Sequence, residues 1–292
     1  MDQSGGSRSQ EPGGTDAGPS SGRHGNLRAS APVAVNSDQL GPLADLPGTW
    51  MGGGFNLISL PDKQDGKPFR LKLSATREFL IFDRIGAQVP DRGSAQNDIF
   101  LFGLTYLQRV TDAATNAALH VEPGIWLNVP PTTDPAGPAS VVRQGTIPHG
   151  DSLLAQGTSL VVKGGPVIVP VSPTPTGPGV DPAYLAPFNT TAVPPGFDIK
   201  NPNAAPVAAI SGQKIINTVV LSISTVPSGG ILNIPFVVKN ANATKLDAIF
   251  WIETVEQPDK TTFLQLQYTQ TVTLNFLGID WPHISVATLV KQ

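Results

Sequence analysis

The sequence predicts an all-β protein, an antiparallel up-and-down barrel of about ten strands, and three observations carry that prediction. In the run FLQLQYTQTVTLNF (263–276), Leu264, Leu266, Tyr268, Val272, Leu274 and Phe276 share one face, with Gln270 the exception. Phe263, Gln265, Gln267, Thr269, Thr271, Thr273 and Asn275 share the other, and one buried side with one wet side suits a sheet wrapped around a core. Further strand-like runs recur with turn residues between them, and no long helical period or internal repeat interrupts them. Finally, 30 Gly and 29 Pro in 292 residues fit a chain with many turns. Its 14% charged residues fall below the roughly 25% of an average domain.

The totals exclude several kinds of chemistry. With no cysteine, disulfides, thiolate nucleophiles, iron–sulfur clusters and zinc ribbons are ruled out. A net charge of −3 gives no electrostatic reason to expect nucleic acid or acidic membranes as partners. The N-terminus lacks a basic-then-apolar leader, and no run reaches the roughly 18 apolar residues of a membrane span, so a cytoplasmic location is the expectation.

Taken in order, residues 1–36 are polar and rich in Gly and Ser, and cannot bury enough surface to offset their chain entropy. A disordered tail is expected there, with His24 solvated, and a single barrel domain over 37–292. Residues 37–46 (SDQLGPLADL) are expected to form a short helical turn that plugs one end. Gly48, Gly52, Gly53 and Gly54 surround Trp50 ahead of a strand over 55–60. Such glycines mark bulges or close backbone approaches. The run lacks the lysine and following helix of a phosphate loop.

Strands are then expected over 69–82, 99–110, 119–129, 141–147 and 153–162, and their short connections favour antiparallel neighbours. Residues 163–210 break the pattern, with proline every few residues, and proline cannot donate to a ladder. Tyr184, Leu185, Phe188 and Phe197 make the segment too apolar for a linker, so it is expected as an insertion packed on the barrel. Strands resume over 215–225, 231–239, 246–255, 263–276 and 281–290.

The last strand carries the first candidate for chemistry. Period-two alternation puts Trp281, His283, Ser285, Ala287 and Leu289 on one face, and Ile284, Val286, Thr288 and Val290 on the other. A histidine followed on its own face by Ser and Ala has open space beside it. The reading is an imidazole aimed into a cavity that a flat, apolar, metal-centred cofactor would fill; a satisfied core or edge histidine is the alternative. On 119–129, His120, Glu122 and Gly124 share a face. They read either as an acid–base pair able to help break an O–O bond or as a buried structural pair. His149, before Gly150, reads either as a solvated turn residue or as a gate at the barrel mouth. Trp281 is expected to face the cavity of His283, Trp126 and Trp251 to be core, and Glu253 to pair with an exposed neighbour.

Three pieces of sequence stand in a telling order. Gly48-Thr49-Trp50-Met51-Gly52-Gly53-Gly54 fits GxWxGxG. Leu119-His120-Val121-Glu122-Pro123-Gly124-Ile125-Trp126 fits an H-x-E-x-G-aromatic strand. Pro282-His283-Ile284-Ser285-Val286-Ala287-Thr288-Leu289 fits a P-H strand ending in A-T-L. Together they resemble the nitrobindins, haem-binding β-barrels related to lipocalins and fatty-acid-binding proteins. The resemblance covers mainly 42–160 and 246–292; the tail and the insertion depart from it.

The resemblance implies haem b, with His283 as the iron's axial ligand and Thr49, Trp50, Gly52, Gly54 and Trp281 near the porphyrin. It implies a pocket histidine, His120, on the opposite side, with Glu122 and His149 as further catalytic candidates. The implied activity is on nitric oxide and peroxynitrite, or a peroxidase-like use of hydrogen peroxide. A lipocalin-like carrier of an apolar small molecule, without catalysis, is the alternative. A cargo or structural protein whose tail folds on a partner is a third. The partners expected are a small-molecule ligand or substrate, a second copy in a homodimer and a protein bound by the tail, with no nucleic acid and no membrane.

Overall fold

The computed structural model describes residues 38–292; the expected tail and His24 lie outside the described residues. Ten strands form the barrel: β1 (Gly48–Asp62), β2 (Lys67–Arg84), β3 (Ile99–Asp112), β4 (Ala118–Val129), β5 (Ser140–Ile147), β6 (Asp151–Lys163), β7 (Lys214–Asn233), β8 (Asn242–Glu256), β9 (Thr262–Phe276) and β10 (Ile279–Lys291). Each pairs antiparallel with its neighbour in the chain, and β10 returns to pair with β1. The ring is closed, so its main ladder leaves no free edge. Two short ladders decorate it, Val89–Asp91 against β3 and Thr132–Thr133 against Ala136–Gly137. No helix among the described residues is long and apolar enough to cross a membrane.

Two of the expected strands merge. Residues 215–225 and 231–233 belong to the single strand β7, which bulges between Ser224 and Gly229. Residues from Pro235 on form the short helix Pro235–Asn240 instead of more strand. Proline has no N–H for a ladder, and its fixed φ suits the first turn of a helix.

The core is split between the inside and the outside of the barrel. Inside, Trp50, Leu80, Phe82, Leu104, Trp126, Phe250 and Leu266 are buried together with Leu40, Leu43 and Leu46. Those three leucines flank the turn Gly41–Leu43 and plug one end. Trp50 Nε1 donates to Leu46 O at 2.8 Å, and Lys291 Nζ sits 5.5 Å over the Trp50 ring while donating to Asp45 O.

Outside, Phe55 and Leu57 of β1 and Ile284 and Val286 of β10 form a second cluster with Phe188 and Ile199 of the insertion. Phe55 stacks on Phe197 with ring centroids 4.7 Å apart. The outer face of β9 is therefore not the wet face that its pattern predicts: Gln265, Gln267 and Thr269 are buried. The insertion has no strand ladder to satisfy its polar groups, and β9 supplies partners. Gln267 Nε2 donates to Pro206 O at 2.9 Å, and Thr269 Oγ1 donates to Asn203 Oδ1 at 2.6 Å.

Glu253 is also buried under this cover, and no exposed cation pairs with it. It accepts one hydrogen bond from Gln265 Nε2 at 2.6 Å, its other oxygen has no partner, and burial pushes its pKa up to about 7.

Candidate functional site

The half of the barrel away from the plug holds a cavity of about 350 Å³. That is near the lower end of the roughly 300–1,000 Å³ of small-molecule sites. Alternation along β1 places Trp50 in the plugged half and Asn56, Ile58 and Leu60 on the cavity wall. On β10, Leu289 and Ala287 belong to the core, while Ser285 and His283 reach the cavity. His120, His149 and His283 all line this one space, so the fold brings together every histidine among the described residues.

His283 is half-buried, and Asn56 holds it in place. Asn56 Nδ2 lies 2.9 Å from His283 Nε2 and also donates to Ser285 Oγ at 2.9 Å. An amide NH₂ can only donate, so Nε2 accepts and the ring proton sits on Nδ1. Burial first, then the positive potential of His120 and His149, lowers the His283 pKa to about 3. The imidazole is thus neutral at ordinary pH, the form in which histidine binds metals.

His120, on β4, stands 6.5 Å ring to ring from His149, which is exposed at the mouth in the turn between β5 and β6. Its Nε2 lies 3.1 Å from Glu122 Oε2. Glu122 is fully buried; its other oxygen accepts from Arg143 Nη2 at 2.7 Å and from the Tyr106 hydroxyl. Burial, the largest single effect, pushes the Glu122 pKa up, but the Arg143 charge together with His120 and the Tyr106 hydrogen bond brings it down to about 2. Glu122 is thus a carboxylate held by His120, Arg143 and Tyr106, and its hydrogen bond orients the His120 ring.

Each nitrogen of Arg143 has a partner: besides Nη2 on Glu122, Nε donates to Tyr106 Oη at 3.0 Å and Nη1 to Gln270 Oε1 at 2.6 Å. Its guanidinium also lies 5.5 Å from the Phe250 ring centroid. Beside it, Glu78 accepts from Tyr268 Oη at 2.6 Å and from Gln108 and Thr76. Burial raises the Glu78 pKa against those hydrogen bonds.

Five of the residues expected around the cofactor do not line the cavity: Thr49, Trp50, Gly52, Gly54 and Trp281. Thr49 and Trp50 sit at the plugged end, where the Trp50 indole is committed to Leu46. Gly52 and Gly54 serve the approach of β1 to β10. A Cβ on either would stand 2.1 Å from Thr288 O or 2.0 Å from Val286 O, so only glycine lets the two strands come so close. Trp281 lies beyond the cavity rim, where the β9–β10 hairpin is roofed by the insertion. Its ring stacks on Phe276 at 5.0 Å and meets Phe69 and Tyr184 at 4.4 and 5.8 Å.

Asn56, Arg143, Tyr106, Gln270 and Glu78 are the site's unforeseen members. Parity held a signal for three of them, and Gln270 was already the polar exception on its strand's core face. Arg143 falls in step with Val141, and Glu78 with Leu80 and Phe82, so each is a charge on a core-facing position. Asn56 left none, because a polar residue at a strand's inner face is readable only once the cavity is seen.

Among the described residues no group of three or more His, Asp or Glu could hold a metal ion. No family model matches the sequence, and no curated protein matches it. Among solved structures, the chain is similar to the crystal structure of Rv2717c from M. tuberculosis, at 17% identity and a TM-score of 0.46, over 90% of this chain and 99% of that one.

Proposed function

We propose that this barrel binds haem b through His283 and acts on small reactive species, nitric oxide and peroxynitrite or hydrogen peroxide, in the cavity. The observation that carries the reading is the neutral His283 imidazole, with its Nε2 lone pair on the cavity side and held only by the Asn56 amide. Haem iron asks a protein for one axial donor, and a single histidine meets that demand. When bound, the haem would supply a redox-active iron. The chain's own contribution would be His120, oriented by Glu122, and His149 at the mouth, two groups on the same cavity as His283 able to hold or pass a proton. The apolar wall of Ile58, Leu60, Leu119, Ile147, Ile231 and Leu274 excludes water from one side of the space.

A second reading has its own support. In the structure Asn56 occupies His283 Nε2, and the same apolar wall suits a carrier of an apolar small molecule with no chemistry. Haem titration separates the two. A Soret band that saturates at one haem per chain and is absent in His283→Ala supports haem binding. No band, together with tight uptake of a hydrophobic dye, supports the carrier.

A further inference from the structure

We propose that the rim of this cavity is a docking face for a lipid bilayer rich in anionic headgroups. The inference goes beyond the haem reading and holds whichever apolar ligand the cavity takes.

The rim segment after the bulge of β7 turns its apolar side chains outward. Leu232 and Phe236 are 79% and 72% exposed, and Ile234 and Val238 are exposed beside them. On β6, Leu154 is exposed one diagonal away, since Leu232 pairs with Ser152 and Gly230 with Leu154. Single exposed apolar residues are ordinary, but five on one rim make a patch that calls for a partner.

Of the three lysines from Lys214 to Leu246, Lys214 pairs with Glu256 and Lys245 with Asp247, each at 2.7 Å, which leaves Lys239 as the cation of the patch. Lys239 is exposed on the rim helix itself, and Lys72 is exposed on the opposite wall of the mouth. Two acids line the cavity, Glu78 buried and Asp151 half-buried at the rim, and burial raises the pKa of both. Apolar side chains flanked by lysines fit an anionic interface, where each basic residue adds attraction. The overall charge of −3 hides this, because it averages over the whole chain. A second copy of the chain is the poorer occupant: in a two-fold contact the patch would meet itself, lysine against lysine.

The same segment is the cavity's lid. Phe236, Val237, Asn240 and Ala241 line the cavity. The lid is tied to the turn that carries His149 by one backbone hydrogen bond, Ile234 N–H to Gly150 O at 2.9 Å. Gly150 has φ +105°, and the Ile234 side chain lies 2.6 Å from where a Cβ on it would stand. A bilayer that takes up Leu232 and Phe236 therefore pulls on the lid over the cavity and gives an apolar ligand a route between lipid and barrel.

The full-length protein, with no haem added, is sedimented with phosphatidylcholine vesicles with and without phosphatidylglycerol. Binding to the anionic vesicles is expected, weakening in about 1 M salt as screening shortens the electrostatic reach. Leu232→Ser combined with Phe236→Ser should lower the vesicle affinity about tenfold or more. Lys239→Gln should lower it about fivefold on anionic vesicles only. Lys239 is exposed, so that variant tests the same face if the double variant does not fold. The proposal is overturned if neither vesicle is bound, or if binding is indifferent to the variants. It is equally overturned if the protein runs as a dimer that the double variant splits, since the patch would then belong to a second copy. Haem takes no part in this assay, so its outcome is independent of the Soret titration.

Discussion

At the scale of single residues, His283 and Glu122 show how one barrel interior holds two ionisable groups in fixed, opposite forms. His283 is kept neutral by burial, and Glu122 is kept anionic by Arg143. If Asn56 competes with a ligand for His283 Nε2, Asn56→Ala should tighten haem binding about fivefold, the worth of one net hydrogen bond, in an absorbance titration. Glu122→Gln should be far more costly, because it strands the buried Arg143 charge. A loss of about 3–5 kcal/mol in urea unfolding is expected, and less when Arg143→Met is added. Glu122 also sets an acid limit. Its folded pKa of about 2 lies below the ordinary glutamate value of 4.5, so its stabilisation is complete above that value and is lost as pH falls towards 2. Parity put His120 and Glu122 on one shared face and His283 on the face of Ser285 and Ala287, whose small side chains pointed to a cavity. It could not say that Glu122 would be pinned, because Arg143 comes from a different strand.

At the scale of elements, the insertion changes what the outer face of the barrel is for. Its prolines showed that it could not be strand, and its aromatics that it would pack. Period-two alternation nevertheless misread β9, since polar Gln265 and Gln267 look like solvent-facing residues until something covers them. The cover leaves Glu253 buried with one partner, which makes stability depend on pH in the sense opposite to Glu122. Its folded pKa of about 7 exceeds the ordinary glutamate value of 4.5, so the native state binds more protons between those values and loses stability as pH rises through them. About 3 kcal/mol is at stake from the size of that shift. Urea midpoints should therefore fall from pH 5 to pH 8 in the wild type. Glu253→Gln should flatten most of that slope, with a remainder from Glu78, whose pKa is raised by the same cause. An unchanged slope in the variant would show that Glu253 reaches water.

At the scale of the whole molecule, the barrel is plugged at one end and lined with polar groups at the other. Leu40, Leu43 and Leu46 belong to the same buried cluster as Trp50, so the plug is core rather than cap. Leu43→Ala should cost about 2–5 kcal/mol in urea unfolding, the range of a fully buried leucine, although the side chain lies outside every strand. Plugging one end directs any ligand to the mouth, where the lid helix and His149 meet. The resemblance placed Thr49, Trp50, Gly52, Gly54 and Trp281 around a cofactor, and the packing places them elsewhere. Trp50 and Trp281 are large enough to be claimed by the two hydrophobic clusters, and the glycines are claimed by the spacing of β1 and β10.

The sequence by itself determined most of the strands, their antiparallel order and which neighbours share a face with His120 and His283, because these follow from a local period of two and from short connections. Only the tertiary structure decided which inward residues face a void and which are packed, which charges meet, and which polar outer faces are covered. Those depend on contacts between residues as far apart as Asn56 and His283, which closure of the ring brings together and no local pattern records.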